Sequence, residues 1–72
     1  MDIFTEREKE VLNLILQGLS NKDISKILTI SGHTTKVHIA SIYKKLGVCN
    51  RVQAVIKYIK LDRLTDKDIT KH

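Results

Sequence analysis

The chain has 72 residues, 42% of them hydrophobic and 29% charged, with no proline, one cysteine and a formal charge of +5. That length holds a single small core and excludes a two-domain enzyme; no apolar run reaches the roughly 18 residues that span a bilayer, and one cysteine cannot close an internal disulfide. The acidic opening Met1-Asp2-Ile3-Phe4 lacks the basic flank and apolar core of a signal peptide, which predicts a cytoplasmic chain with no membrane contact.

Without proline or sustained apolar/polar alternation the chain reads as all-α, with Gly18 and Gly47 as punctuation. Thr5 followed by Glu8 is a capping box, and Val11, Leu12, Ile15 and Leu19 repeat at helical spacing before the Gly18 stop, predicting a first helix over about 6–17. Ser20 with Asp23 opens a short second helix that ends near Leu28, with Ile24, Ile27 and Leu28 as its apolar side. Thr29 and Ile30 form a tight connection to Ser31, a third cap. From there Thr35, Ile39, Ile42 and Leu46 line the inward side of a third helix that ends at about Leu46. Asn50 with Gln53 caps a fourth helix over about 51–61, whose inward stripe reads as Val52, Val55, Ile56 and Ile59. Residues 62–72 hold few apolar side chains and are expected to be a polar, frayed tail, so the compact four-helix domain is placed at residues 1–61.

The charge is concentrated. Residues 20–60 carry Lys22, Lys26, Lys36, Lys44, Lys45, Arg51, Lys57 and Lys60 against Asp23 alone, whereas both ends are near neutral. A basic block of this kind suggests a polyanionic partner, although a solvated lysine-rich surface gives the same count.

Helices two and three are joined by so few residues that they must meet at a steep angle, the arrangement of a helix-turn-helix. Successive steps of about 100° place His33, Val37, Ala40, Ser41 and Lys44 opposite the inward stripe of the third helix, with Lys36 at the margin. Such a face suits a major groove, where Lys36 donates to guanine, Val37 touches a thymine methyl and Ala40 allows close approach. Val37 also has the plain reading of a single apolar surface residue. Thr34, His38 and Lys45 on one flank and Asn21 and Lys22 at the start of helix two are candidate phosphate contacts, as is Lys44. Ser31 can cap the third helix and still offer its amide end to a phosphate. On helix four, Ala54, Tyr58 and Leu61 form a second stripe about 140° from the inward one and are the candidate dimer face; the same stripe also fits against the first helix or the tail.

Phe4-Thr5-Glu6-Arg7-Glu8 through Val11-Leu12, Gly18-Leu19-Ser20-Asn21-Lys22-Asp23-Ile24, Ile30-Ser31, Thr34, Lys36-Val37-His38, Lys45-Leu46-Gly47-Val48, Asn50-Arg51 and Ala54-Val55 together resemble the LuxR-type DNA-binding domain, over residues 4–59. The resemblance implies a four-helix output domain of a response regulator or autoinducer receptor, or a free-standing transcription regulator, and a dimer on paired half-sites of double-stranded DNA. RNA polymerase is then a further partner. By motif position it implies base contacts from Lys36 and Val37, joined by Ala40 where relatives often carry a longer polar side chain, and phosphate contacts from Thr34, His38 and Lys45; His33 is added to the base-contacting set from its place on the outward face. The family's last helix often mediates dimer contacts. Three positions depart from its pattern: Gly32 stands where an acidic residue is usual, Thr35 where valine is usual and Ser25 where alanine is usual. Gly32 removes a helix-dipole interaction together with a negative charge near DNA, and Thr35 puts a hydroxyl into the core stripe, so some loss of stability is expected. The Thr-Glu-Arg-Glu opening also occurs in sigma-factor regions, but Leu46-Gly47-Val48 with Asn50-Arg51 favours the LuxR type.

Other chemistries fit less well. His33, His38 and Cys49 do not form a metal set, because an i, i+5 spacing separates the two imidazoles by about 140°, and no cofactor is implied. No nucleophile–base arrangement or paired carboxylates converge, which argues against an enzyme, and Cys49 reads as an incidental thiol. The remaining rival is a protein-interaction module that uses the same fold to dimerise without reading DNA.

Overall fold

The computed structural model describes the backbone of residues 3–70 and the side chains of residues 3–63. Four helices follow in order: α1 (Glu6–Leu16), α2 (Asn21–Leu28), α3 (Gly32–Leu46) and α4 (Arg51–Thr70). The start of each is set by a short polar side chain that accepts an orphan amide. Thr5 Oγ1 accepts from Glu8 N at 3.1 Å while Glu8 Oε1 returns the bond to Thr5 N, and Ser20, Ser31 and Asn50 accept from Asp23 N, Thr34 N and Gln53 N at 3.1, 3.0 and 2.9 Å.

The first three helices end in one device. In α1, α2 and α3 a residue in the left-handed region follows the last turn, and the next amide reaches back five residues: Leu19 N to Leu14 O, Ile30 N to Ser25 O and Val48 N to Tyr43 O, at 3.2, 3.0 and 3.0 Å. Gly18 and Gly47 adopt that conformation without a Cβ penalty, at φ 86° and 72°. Thr29 adopts it at φ 56° and ψ 48°, where a β-branched side chain is strained. The turn of the helix-turn-helix is therefore the strained one of the three.

α3 is the centre of the domain and packs against all three other helices. Its inner stripe is the one expected: Thr35, Ile39, Ile42 and Leu46 are buried, together with Phe4, Val11, Leu12 and Ile15 from the α1 side and Ile24 from α2. Thr35 is buried without being orphaned, since its hydroxyl lies 2.6 Å from Ser25 Oγ and 3.1 Å from Ser31 O. Ile27 differs from expectation and is exposed. α2 is rolled so that Ile24 is buried, Leu28 is half-buried and Ser25 reaches α3, while Ile27, one helical step of about 60° to the other side of Ile24, is left at the solvent edge.

α4 departs furthest from the sequence reading, in length and in face. It does not stop near residue 61 but continues to Thr70, as a stretch with neither proline nor glycine permits. Of its expected inward stripe only Val55 packs against the core: Val52, Ile56 and Ile59 are 68%, 49% and 41% exposed, while Ala54 is fully buried and Tyr58 and Leu61 pack against the core. Arg51 sets this rotation. Its guanidinium donates to Asn21 Oδ1 at 2.9 Å and to the Leu19 carbonyl, pinning the first turn of α4 to the α1–α2 connection. The face that carries Arg51 also carries Ala54, Tyr58 and Leu61, and the small Ala54 lets the helix approach closely. Thr29→Gly is expected to raise the stability of the domain by about 1 kcal/mol by relieving the left-handed strain, less the added freedom of the unfolded chain, as read by chemical denaturation.

Candidate nucleic-acid interface

The outer half of α3 is open. His33, Lys36, Val37, Ala40 and Lys44 are all exposed, on the side away from Thr35, Ile39, Ile42 and Leu46. They form one strip along the helix, because the inner stripe holds the opposite side rigidly in the core. Ser31 Oγ accepts from Thr34 N and donates to Thr34 Oγ1 at 2.9 Å, so the first turn of α3 is closed by two small hydroxyls and has no acidic residue. Gly32, also in this turn, has open space where a Cβ would stand, so its small size is not a packing requirement.

The expected flanking contacts divide into two groups. Lys22 and Lys44 are exposed, and Thr34 and His38 are half-buried beside the strip. Asn21 and Lys45, by contrast, are engaged with other parts of the domain: Asn21 Oδ1 receives Arg51, and Lys45 Nζ lies 2.6 Å from Glu8 Oε1. Ser41, read as part of the outward face, is half-buried and donates to Glu8 Oε2 at 2.6 Å. Ser41 and Lys45 sit on the α3 flank that meets α1, where a buried carboxylate attracts any donor in reach. Glu8 lies at i, i+3, i+4 and i+7 with Val11, Leu12 and Ile15, so its place on the buried side of α1 was readable from spacing; its partners 33 and 37 residues away were not.

The candidate dimer face of Ala54, Tyr58 and Leu61 is turned inward: Ala54 has no exposed surface, and Tyr58 and Leu61 are half-buried, lining a depression with Phe4, Leu12 and Leu16 on the α1 side. The apolar surface that α4 presents to solvent is instead Val52, Ile56 and Ile59, with Val55 half-buried beside a shallow depression against Ile15 and Leu16. Among the described residues no three of histidine, cysteine, aspartate and glutamate come together as metal ligands, and no helix is long and apolar enough to cross a membrane.

An eight-residue helix joined through Thr29, Ile30 and Ser31 to a fifteen-residue helix with a basic, small-residue strip facing solvent defines a helix-turn-helix domain of the DNA-binding class. The sequence profile described as bacterial regulatory proteins of the luxR family matches residues 2–58, and the chain belongs to that family. It is 48% identical over 58 residues to the nitrate/nitrite response regulator protein NarP of Escherichia coli K12, covering 81% of this chain and 27% of that protein. It is 47% identical over 53 residues to the CsgBAC operon transcriptional regulatory protein of the same organism, covering 74% and 24%. The chain thus spans about a quarter of the length of these curated relatives. Among solved structures it is similar to the transcription factor GerE (TM-score 0.77, 39% identity, 86% of this chain and 92% of that one). It is similar also to the response regulator ChrA of a heme-sensing two-component system (TM-score 0.80, 39% identity, 86% and 31%).

The Glu8 carboxylate makes the site electrostatically dependent on α1. It is 4% exposed; burial pushes its pKa up, but the hydrogen bonds from Lys45, Ser41 and the Thr5 amide and the Lys45 charge outweigh that and hold it at about 2. The folded value lies below the unfolded one, so the contribution to stability is complete above the usual glutamate range and is lost as pH falls from about 4.5 toward about 2. Lys45 is partly solvated, at 31% side-chain exposure, so the contribution is on the order of 2 kcal/mol after screening. Glu8→Gln is expected to cost about 1–3 kcal/mol at pH 7 and to flatten the acid limb of stability, measured by urea denaturation at pH 7 and pH 3. An unchanged acid limb in Glu8→Gln would show that the carboxylate does not govern it.

Proposed function

We propose that this domain is a cytoplasmic bacterial transcription regulator unit that reads double-stranded DNA by placing α3 in the major groove, and that two copies act on paired half-sites. The observation that carries the reading is the exposed strip of α3. A close-packed helix turns its whole inner side to the core and leaves His33, Lys36, Val37 and Ala40 to solvent as one surface, with Lys44 continuing it and Lys22 beside it on α2. Lys36 and Val37 are assigned to base edges, with Ala40 and His33 shaping the approach, and Lys22, Lys44, Thr34 and His38 to phosphates. Ser31 supports the amide end of α3. Lys45 and Asn21 serve the domain's own structure first, so their loss lowers affinity through stability as well as through any phosphate contact.

The exposed apolar stripe of α4 supports the dimer part of the reading. Val52, Ile56 and Ile59 recur at i, i+4 and i+7 on a helix whose other side is already packed, which is the spacing of a helix–helix contact. Membership of the luxR family supports the regulatory part, and similarity to the response regulators NarP and ChrA supports a response-regulator setting; RNA polymerase as a further partner belongs to the same proposal.

Selection of bound sequences from random duplexes at two salt concentrations tests the reading. Specific winners are expected, with an affinity that falls with log salt at about −0.9 per phosphate neutralised. Salt-insensitive association without sequence preference would favour the protein-interaction module. Lys36→Ala is expected to cost about 1–3 kcal/mol on the winning sequence and to relax preference at one or two base pairs, whereas Lys44→Ala weakens specific and random duplexes alike. Ile56→Glu is expected to leave the melting transition in place while reducing binding on a paired site to that on a single half-site, followed by sedimentation and gel shift. Tyr58→Glu is expected to unfold the domain instead, because it places a charge against the core.

A further inference from the structure

Within the helix-turn-helix two of the three departures from the family pattern, Ser25 and Thr35, touch each other. Ser25 Oγ on α2 lies 2.6 Å from Thr35 Oγ1 on α3, Thr35 is completely buried and Ser25 is half-buried. Each hydroxyl also reaches a carbonyl on its own helix, Ser25 to Asn21 O at 2.9 Å and Thr35 to Ser31 O at 3.1 Å. Two hydroxyls hold two protons, so only two of these three contacts carry a proton at once. With the bridge in place, one proton joins the helices and the other stays on Asn21 O or Ser31 O. The bridge crosses the one turn of the three in which a β-branched residue, Thr29, occupies the left-handed position. A strained turn has a softer preference for its native angle than a glycine turn, and a bond across the two helices it joins restores that preference.

We infer that Ser25 and Thr35 form a hydroxyl bridge that fixes the angle of α3 relative to α2, making them positioning residues for sequence reading although neither faces the groove. The inference rests on the reading of α3 as the recognition helix. A bond between packed helices acts on orientation more than on total stability, because each hydroxyl keeps a carbonyl on its own helix when its partner is removed. The two positions must therefore behave as one unit: losing either end loses the bridge, and losing the second end loses nothing more.

The test is a double-mutant cycle of Ser25→Ala and Thr35→Val. Each variant is titrated with a duplex selected by the wild-type protein from a random pool and with an unselected duplex, and melting is recorded in parallel. Each single variant is expected to bind the selected duplex about 5-fold more weakly, and the double variant also about 5-fold rather than about 25-fold, with less than about 2-fold change on the unselected duplex. Thr35→Ser, which keeps the hydroxyl and drops the methyl, is expected to retain the preference for the selected duplex. Thr29→Gly is expected to shrink the effect of Ser25→Ala by relaxing the turn. Multiplicative losses in the double variant, or folded single variants with wild-type preference, overturn the inference, and Ser25→Ala, at the half-buried end, keeps the test valid if a Thr35 variant unfolds. A wild-type protein that selects no sequence from the pool overturns the recognition-helix reading itself, and the inference with it.

Discussion

The structure turns on one carboxylate. Glu8 closes the capping box of α1 through Thr5 and receives Ser41 and Lys45 from α3, so the group that begins the first helix also joins it to the helix that carries the exposed strip. A carboxylate so nearly excluded from solvent is stable only if its oxygens are occupied by donors. That requirement fixes the rotation of α3: with Ser41 and Lys45 turned to α1, helical geometry leaves Lys36, Val37 and Ala40 no choice but the outer side. The apolar stripe alone defines a side of α3; the ion pair selects the flank and resists sliding along the helix axis, which apolar contact does weakly.

Three tethers of different chemistry then hold the remaining elements to this pair. Arg51 ties α4 to the α1–α2 connection, the Ser25–Thr35 hydroxyls tie α2 to α3, and the buried Ala54 sets how closely α4 can lie. The two polar ones involve residues between 10 and 32 positions apart. A domain of this size has little apolar area to bury, and polar tethers with specific geometry supply the uniqueness that so small a core cannot provide by packing alone.

The bounds of α1, α2 and α3 were legible in the sequence because they are local: Thr5, Ser20 and Ser31 each accept an amide three residues on, and Gly18 and Gly47 mark left-handed exits. The outer strip of α3 was legible for the same reason, since one clear inward stripe implies its opposite. α4 was not, because residues 52–61 are apolar on nearly every side, and the larger side chains Val52, Ile56 and Ile59 suggested a core that Ala54, Tyr58 and Leu61 in fact occupy. Nothing within the helix reports Arg51's anchor 30 residues upstream. The shared Glu8 partner of Ser41 and Lys45 was illegible for the same reason, since a helical wheel marks which residues share a flank and not which neighbour waits there. Ser25 and Thr35, each a departure when taken singly, become consistent only as a pair in contact.

These tethers change the meaning of the basic block. Of the eight basic residues in 20–60, Lys45 is engaged with Glu8 and Arg51 with Leu19 and Asn21, and both act as internal connectors. Lys57 and Lys60 lie on α4 beside the apolar stripe, away from the strip on α3. The cations that belong to the helix-turn-helix surface reduce to Lys22, Lys26, Lys36 and Lys44, all exposed. Each cation that neutralises a phosphate adds only its own counterion release, so the electrostatic reach of the helix-turn-helix surface is set by these four lysines and not by the formal charge of the whole block. The exposed apolar stripe of Val52, Ile56 and Ile59 lies on α4, so the exposed basic strip and the exposed apolar stripe are carried by different helices of the domain.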